Sequence, residues 1–524
     1  MKICIYNTYL NTMGGGEKHM GALAEYLTQF SDIEVDILTH AQANLLELSK
    51  KLRIDLSRCR LIVQHDIQQD IETYSAQYDL FINTTHYSKL KPRAKKNALL
   101  LFFPILPELR FLATSQRFNR LLHRFDATES IRLLTGFYHQ EKIGAYFSRR
   151  FGQWTQKTFS FQLRAYQVGR QQQIKINTLP LRSGRSLSTL IDHIRCHGEL
   201  VPFRIRKNTI LLTLTPSTAE SIITVKLRSD FQPSSSDTRR LGIFITSIRS
   251  VFPFTALRHW SMQQLARILK PLRYYNYLDA YDFIMVNSEY TQRWLKKLWN
   301  ADSSIVYPVI DTEVFYAPSA PKKKMIISVG RFFEGSHNKK HLAMIRTFKK
   351  MYLAGDIPDW EYHLCGGTHP EPVHQAYLRR IQNEAIGYPI FVHPDIPFQE
   401  LRKRYPQALI FWHASGFEEN EQRHPDRFEH FGITTVEAMT AGCIPVVIGK
   451  AGQLEIVTHG KNGFLWQTMD ECMQYTKRVM QMPSSEQQRM SERARERGTQ
   501  FSRKHCEQQL ATAFEPVLTE LRKS

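Results

Sequence analysis

Apolar positions in the first hundred residues come in two rhythms. KICIYN (2–7), EVDILTH (34–40), YDLFINTT (78–85) and NALLLFFP (97–104) are short apolar blocks, as strands covered on both faces require. Between the first two, EKHMGALAEYLTQF places Met20, Leu23, Ala24 and Leu27 at helix spacing. Strand–helix–strand alternation predicts a parallel sheet with helices on both faces. The rhythm stops near Pro107. Residues 107–135 read as a basic helical segment, with Phe118, Leu121, Leu122 and Phe125 on one side and Arg117, Arg120 and Arg124 on another. From 136 to 251 the pattern becomes short β-rich runs separated by turn residues, among them QIKINTL, FRIRKNTILLTLT, ESIITVKLRS and LGIFITSIRS, which predicts an antiparallel β-sandwich.

The first rhythm resumes near Thr255, with YDFIMVNS (281–288) as the last strand of the first α/β unit. A Pro-rich stretch leads to MIISVG (325–330), which opens a second α/β unit with strands EYHLCG, YPIFVHP, ALIFWHA and CIPVVIG. The expected organisation is therefore an N-terminal Rossmann-like domain (1–106 and 252–318, including the linker), a basic helical segment (107–135) and an inserted β-sandwich (136–251). A second Rossmann-like domain (319–490) and C-terminal helices (491–524) follow.

Composition narrows the class. Hydrophobic residues make up 42% and charged residues 23%, the balance of a chain that builds cores. No apolar stretch reaches the length of a membrane span, and the first residues form a strand pattern rather than a signal peptide. Seven scattered cysteines without a Cys-x-x-Cys pair argue for a reducing compartment and against a zinc site. The expected location is the cytoplasm, with the inner face of a membrane as a place of contact. The net charge of +21 calls for a polyanion or an anionic surface. Nucleic acid is disfavoured because no RNP, helix-turn-helix or zinc-finger pattern occurs.

The chemistry concentrates at Glu429-His430-Phe431-Gly432-Ile433-Thr434-Thr435-Val436-Glu437. By itself, a pair of glutamates eight positions apart describes an amphipathic helix. Here the first lies in a loop before a helix whose free N–H groups and dipole suit a diphosphate. The second is placed to reach a ribose. A strand, a Gly-rich turn and Glu455 follow.

FEHFGITTVEAMTAGCIPVV (428–447) resembles the signature of family 4 retaining glycosyltransferases of GT-B fold. NTMGGGEKHMGALAEYL (11–27), NSEYTQRWLKKLWNADSSIVYPVIDTEVF (287–315) and SVGRFFEGSHNKKHLAMIRTF (328–348) agree with it in order. The branch that extends dolichol-linked oligosaccharides by mannosyl transfer is the nearest. The resemblance implies two Rossmann-like domains facing a cleft and transfer of a hexose from a nucleotide-diphospho-sugar, with a GDP-mannose-like donor slightly favoured, to a lipid-linked or polysaccharide acceptor. No cofactor and no metal are implied, since Arg331 and Lys340 match the family's phosphate-binding cations. Lys339 is the alternative, because its loop is longer than usual. Glu429 faces the transferred sugar. Gly432, Ile433 and Thr434 open the phosphate-binding helix, Glu437 meets the ribose, and Gly330 and Gly366 belong to the donor side. Gly14, Gly15 and Gly16 form the family's loop at the interdomain cleft. Where many relatives carry a cleft histidine this chain has Phe102, which cannot donate to a sugar hydroxyl; His86, near another strand end, is the candidate stand-in. That departure keeps a second reading in view, a carbohydrate-binding or scaffold protein of the same fold without turnover. A phosphorylase-type enzyme is remote, for want of a pyridoxal-lysine context.

Overall fold

The computed structural model describes all residues except 13, 65–67, 107–130, 144–149, 165–167, 170, 180–185, 219, 231–239, 252–276, 319, 336–337 and 524. The expected basic helical segment 107–135, with Arg117, Arg120, Arg124 and its apolar stripe, lies outside the described residues up to 130, and 131–135 belong to a strand instead; the expected resumption near Thr255 also lies outside them.

Three sheets organise the chain. The first comprises β1 (Lys2–Tyr6), β2 (Glu34–Thr39), β3 (Cys59–Val63), β4 (Leu80–Asn83) and β5 (Lys96–Leu101). The second holds β6 (Ile131–Ile143), β7 (Arg150–Arg164), β8 (Gln172–Thr178), β9 (Ile191–Cys196), β10 (Glu199–Leu200), β11 (Phe203–Arg206), β12 (Thr209–Leu214), β13 (Glu220–Leu227) and β14 (Phe244–Val251). The first sheet then gains β15 (Phe283–Val286) and β16 (Ser304–Ile305). The third contains β17 (Lys323–Val329), β18 (Glu361–Gly366), β19 (Ile390–Pro394), β20 (Ala408–His413), β21 (Ile444–Ile448) and β22 (Phe464–Trp466).

The first sheet has order β16-β15-β5-β4-β1-β2-β3, all parallel. Its strands are apolar on both faces because helices cover both. The Gly15–Thr28 helix buries Met20, Leu23, Ala24 and Leu27 on one face. The C-terminal helix Arg503–Lys523 adds Cys506, Leu510, Phe514 and Leu518 to that same core, so the chain ends against the domain where it began.

The inserted strands form one hydrogen-bonded antiparallel sheet, β10-β9-β13-β7-β14-β8-β12-β11, with β6 pairing β7. Strand ladders connect it throughout, whereas two stacked sheets would divide the pairing into two sets. Strands near opposite ends of the order share one core, Ile191 and Ile194 with Ile210 and Leu212, so the sheet curls around its apolar face.

The third sheet, β19-β18-β17-β20-β21-β22, is parallel. Tyr362, Leu364 and Trp412 pack on one face and Ile327, Phe411 and Val447 on the other. In both parallel sheets the chain reverses its direction of winding partway. The switch falls between β1 and β4 in the first and between β17 and β20 in the third. Ligands of open α/β sheets bind outside the carboxyl ends of strands at such switches.

Candidate active site

The third sheet's switch point carries a buried charge centre. Gly330 and Arg331 follow β17, and His413 ends β20. One oxygen of Glu429, Oε2, accepts from Lys339 Nζ and from His413 Nε2, the latter at 2.9 Å. Burial alone would raise the carboxyl's pKa. The Lys339 ammonium and the His413 N–H outweigh it and hold the carboxyl well below its usual range. His413 is only 3% exposed, and burial drives its own pKa down against the pull of Glu429. Its neutral ring therefore donates through Nε2 while Nδ1 faces Gln453 Nε2 at 3.5 Å.

Lys340 lies elsewhere. Its backbone is left-handed, φ 59°, which turns its Nζ onto Glu419 at 2.8 Å; Arg427 meets the same carboxylate at 3.2 Å. Of the two neighbouring lysines, Lys339 thus touches Glu429 and Lys340 pairs with Glu419 instead.

Gly432 caps the Ile433–Thr440 helix with φ 122°, a conformation open to glycine and strained for other residues. Its carbonyl takes the N–H groups of Thr435 and Val436 at 3.0 and 3.2 Å. The N–H groups of Ile433 and Thr434 have no carbonyl partner among the described residues, so the helix end offers donors for an anion. A Cβ on Gly15 would come within 2.9 Å of Ile433 Cδ1, which puts the glycine loop of the first domain directly on this helix start. Gly14 N–H and the Thr12 hydroxyl both bond Glu17 Oε2, at 2.8 and 2.6 Å, and fix that loop on the Gly15–Thr28 helix.

Glu437, a turn further on, is half-buried and accepts from the Tyr405 hydroxyl at 3.2 Å. Burial pushes its pKa up to about 7, opposed by Lys18 and the Tyr405 bond and assisted by Asp311. A carboxyl raised this way favours folding fully only below its ordinary pKa, and that contribution is lost as pH climbs through about 7. Glu437→Gln carries no such charge. Its stability relative to wild type should therefore rise by about 1–3 kcal/mol between pH 5 and pH 8 in denaturant titrations. A constant difference would show that Glu437 is solvated.

Gly366 allows the ends of β17 and β18 to touch, since a Cβ there would stand 1.9 Å from the Gly330 carbonyl oxygen. Arg331 is exposed and lies over Phe333, 4.5 Å from the ring centre, with His374 stacked on the same ring at 4.4 Å. His369, Glu371 and His374 have cation-binding spacing. Each imidazole Nδ1, however, accepts a backbone N–H, from Glu371 at 3.3 Å and Glu334 at 3.1 Å. Each bond puts the proton of a neutral ring on Nε2, so a cation taking Nδ1 would have to displace it.

On the other wall, Phe102 follows β5 and lies 3.5 Å from where a Gly16 Cβ would stand. It meets His19 edge-on at 6.0 Å. His19 is 1% exposed, and burial lowers its pKa to about 4. His86 packs on Tyr87, 3.9 Å between ring centres, in the loop after β4.

The two walls are tied together. Glu455 accepts the N–H groups of Glu289 and Tyr290 at 2.8 and 2.9 Å, capping a first-domain helix from the second domain. His430 stacks on Phe103 at 4.2 Å. Lys18 bonds Asp311 at 2.7 Å, and Arg503 also meets Asp311, at 3.1 Å. His413, Glu419 and Gln453 are the site residues that sequence reading did not name. The one signal for His413 was its place at the end of an apolar strand.

Residues 310–497 match the family model described as glycosyl transferases group 1. The human GDP-Man:Man(3)GlcNAc(2)-PP-Dol alpha-1,2-mannosyltransferase is 28% identical over 254 residues, 45% of this chain and 49% of that protein. The human alpha-1,3/1,6-mannosyltransferase ALG2 is 24% identical over 209 residues, 35% and 46% of the two chains. The chain thus spans about half the length of the curated relatives it matches. Among solved structures, Anabaena Alr3699/HepE in complex with UDP-glucose has a TM-score of 0.50 at 12% identity, covering 98% of this chain and all of that one. A glycosyltransferase from Rickettsia africae ESF-5 has 0.50 at 10%, covering 99% and 98%. These two share the fold. Matched motif, paired parallel sheets and mannosyltransferase kinship agree that residues 310–497 are a group 1 glycosyltransferase domain of GT-B type.

Proposed function

We propose that this chain is a retaining glycosyltransferase that moves a hexose from a nucleoside-diphospho-sugar to a lipid-linked or polysaccharide acceptor, without a divalent cation. The observation that carries the reading is the placement of Glu429 between Lys339 and His413, beside the open N–H groups of Ile433 and Thr434. As the glycosidic bond breaks, negative charge grows on the diphosphate and positive charge on the sugar. The helix start, Arg331 and the lysine pair answer the first. Glu429, kept ionised by its two partners, answers the second. The kinship with a protein named for GDP-Man supports a mannose-type donor. The charge of +21 supports work at an anionic surface. No helix among the described residues is long and apolar enough to cross a membrane.

Hydrolysis of a panel of nucleotide sugars tests the reading. Turnover of one donor, GDP-mannose first, is expected. Tight nucleotide binding with no turnover of any donor would favour the binding-protein reading. Activity should persist in EDTA, and a strict requirement restored by Mn²⁺ or Mg²⁺ would contradict the assignment of phosphate charge to side chains. Arg331→Ala should weaken nucleoside diphosphate about tenfold or more and leave the nucleoside nearly unchanged, because only the diphosphate offers oxygens to the guanidinium. Calorimetric titration of both ligands reads the difference.

A further inference from the structure

The outer face of the inserted sheet carries a cationic ladder that the transfer chemistry does not use. Strands β14, β8, β12 and β11 are neighbours, and their register sets Arg249 opposite Lys175, Lys175 opposite Leu211, and Leu211 opposite Arg204. The next row reads Ser247, Asn177, Thr209 and Arg206. All four cations are exposed, and none makes an ion pair with a described residue. These four strands contain no Asp or Glu. Like charges directly opposite on a ladder destabilise a sheet, so the Arg249–Lys175 pair is a standing cost with no compensating carboxylate among the described residues.

We propose that this face binds an anionic polysaccharide, a chain bearing a phosphate or carboxylate on its repeats. The cation row spans about 14 Å, three inter-strand steps, which suits an extended chain better than a single small anion. The row beside it supplies hydroxyl and amide groups for sugar hydroxyls. They are held in line, Asn177 Nδ2 donating to Ser247 Oγ at 2.7 Å and Thr209 Oγ1 donating to Asn177 Oδ1 at 3.0 Å. A bilayer would call for apolar anchors. The one apolar side chain in the row, Leu211, is half-buried, and the exposed Leu200 and Ile222 sit on other strands, β10 and β13. A nucleic acid would call for stacking rings, and the aromatic residues of these strands, Phe203 and Phe244, serve the sheet's core or lie buried. The binding surface stands independently of the donor-site reading.

The test uses the full chain and measures binding of polygalacturonate, poly(glycerol phosphate), neutral dextran, phosphatidylglycerol vesicles and a single-stranded oligonucleotide at two salt concentrations. At least one anionic glycan should bind in a salt-sensitive way, its identity distinguishing carboxylate from phosphate, while dextran does not. Lys175→Glu/Arg204→Glu/Arg249→Glu should weaken that binding at least tenfold and leave nucleoside diphosphate binding unchanged. The corresponding triple Gln variant, with an unfolding curve for each protein, separates lost binding from lost folding. Unaltered glycan affinity in the folded variants, binding of neither anionic glycan, or stronger binding of vesicles or oligonucleotide would overturn the proposal.

Discussion

Replacing Glu429 by Gln should lower kcat by about 10²-fold or more while donor KM changes little. The argument rests on where the charge sits. The carboxylate is held in its charged form because an ammonium and an imidazole N–H converge on one of its oxygens. A neutral amide keeps the shape and loses the charge that meets a sugar becoming cationic. It also leaves Lys339 without the carboxylate it pairs with. Both effects act on the chemical step. Glu437→Ala should behave differently. That residue lies a turn into the helix, bonded to Tyr405, and its loss should mainly raise donor KM. Steady-state kinetics on both variants decide the matter, and near-wild-type turnover in both would remove these residues from the site.

Gly432→Ala is expected to cost nearly as much through geometry alone. The residue has φ 122°, which costs an L-residue of order 1–3 kcal/mol. An added Cβ would also stand 2.7 Å from Gln453 Nε2 and 3.0 Å from Ile456 Cδ1. Gln453 is fully buried and faces His413, so relief by moving it disturbs the ring that holds Glu429. Relief by moving the backbone instead tilts the first turn of Ile433–Thr440 away from an incoming diphosphate. Nucleoside diphosphate affinity should fall at least tenfold with a modest loss in unfolding midpoint. Unchanged affinity would show that the helix start does not hold the phosphates.

Much of this architecture was legible in the chain. The parallel strands announce themselves because a strand buried on both faces must be apolar throughout, as in KICIY and ALIFWH. The antiparallel block was legible as strands, and its connectivity was not. Periodicity tells which residues face inward, and says nothing of which strand bonds β7, whose partners β6, β13 and β14 are scattered along the sequence. The choice between Lys339 and Lys340 was beyond counting for a related reason. Their loop contains Gly335 at φ 98° and ends on a left-handed Lys340, and such turns redirect neighbouring side chains without a sequence period. His413 was hidden because a histidine closing an apolar strand reads as core until the switch between β17 and β20 is known.

The stacking of His430 on Phe103 has a mechanical meaning. Glu429 and His430 are adjacent, yet one belongs to the charge centre and the other is seated against the opposite domain, stacked on Phe103 and beside Tyr290. Their Cα atoms are only about 3.8 Å apart, so a displacement of one backbone is passed to the other. A parting of the domains that keeps the ring in its seat would pull the carboxylate away from Lys339 and His413. Assembly of the charge centre is thereby geared to domain closure. An open molecule would hold its donor with the sugar's counter-charge out of position, and so spare it from water until the cleft has shut.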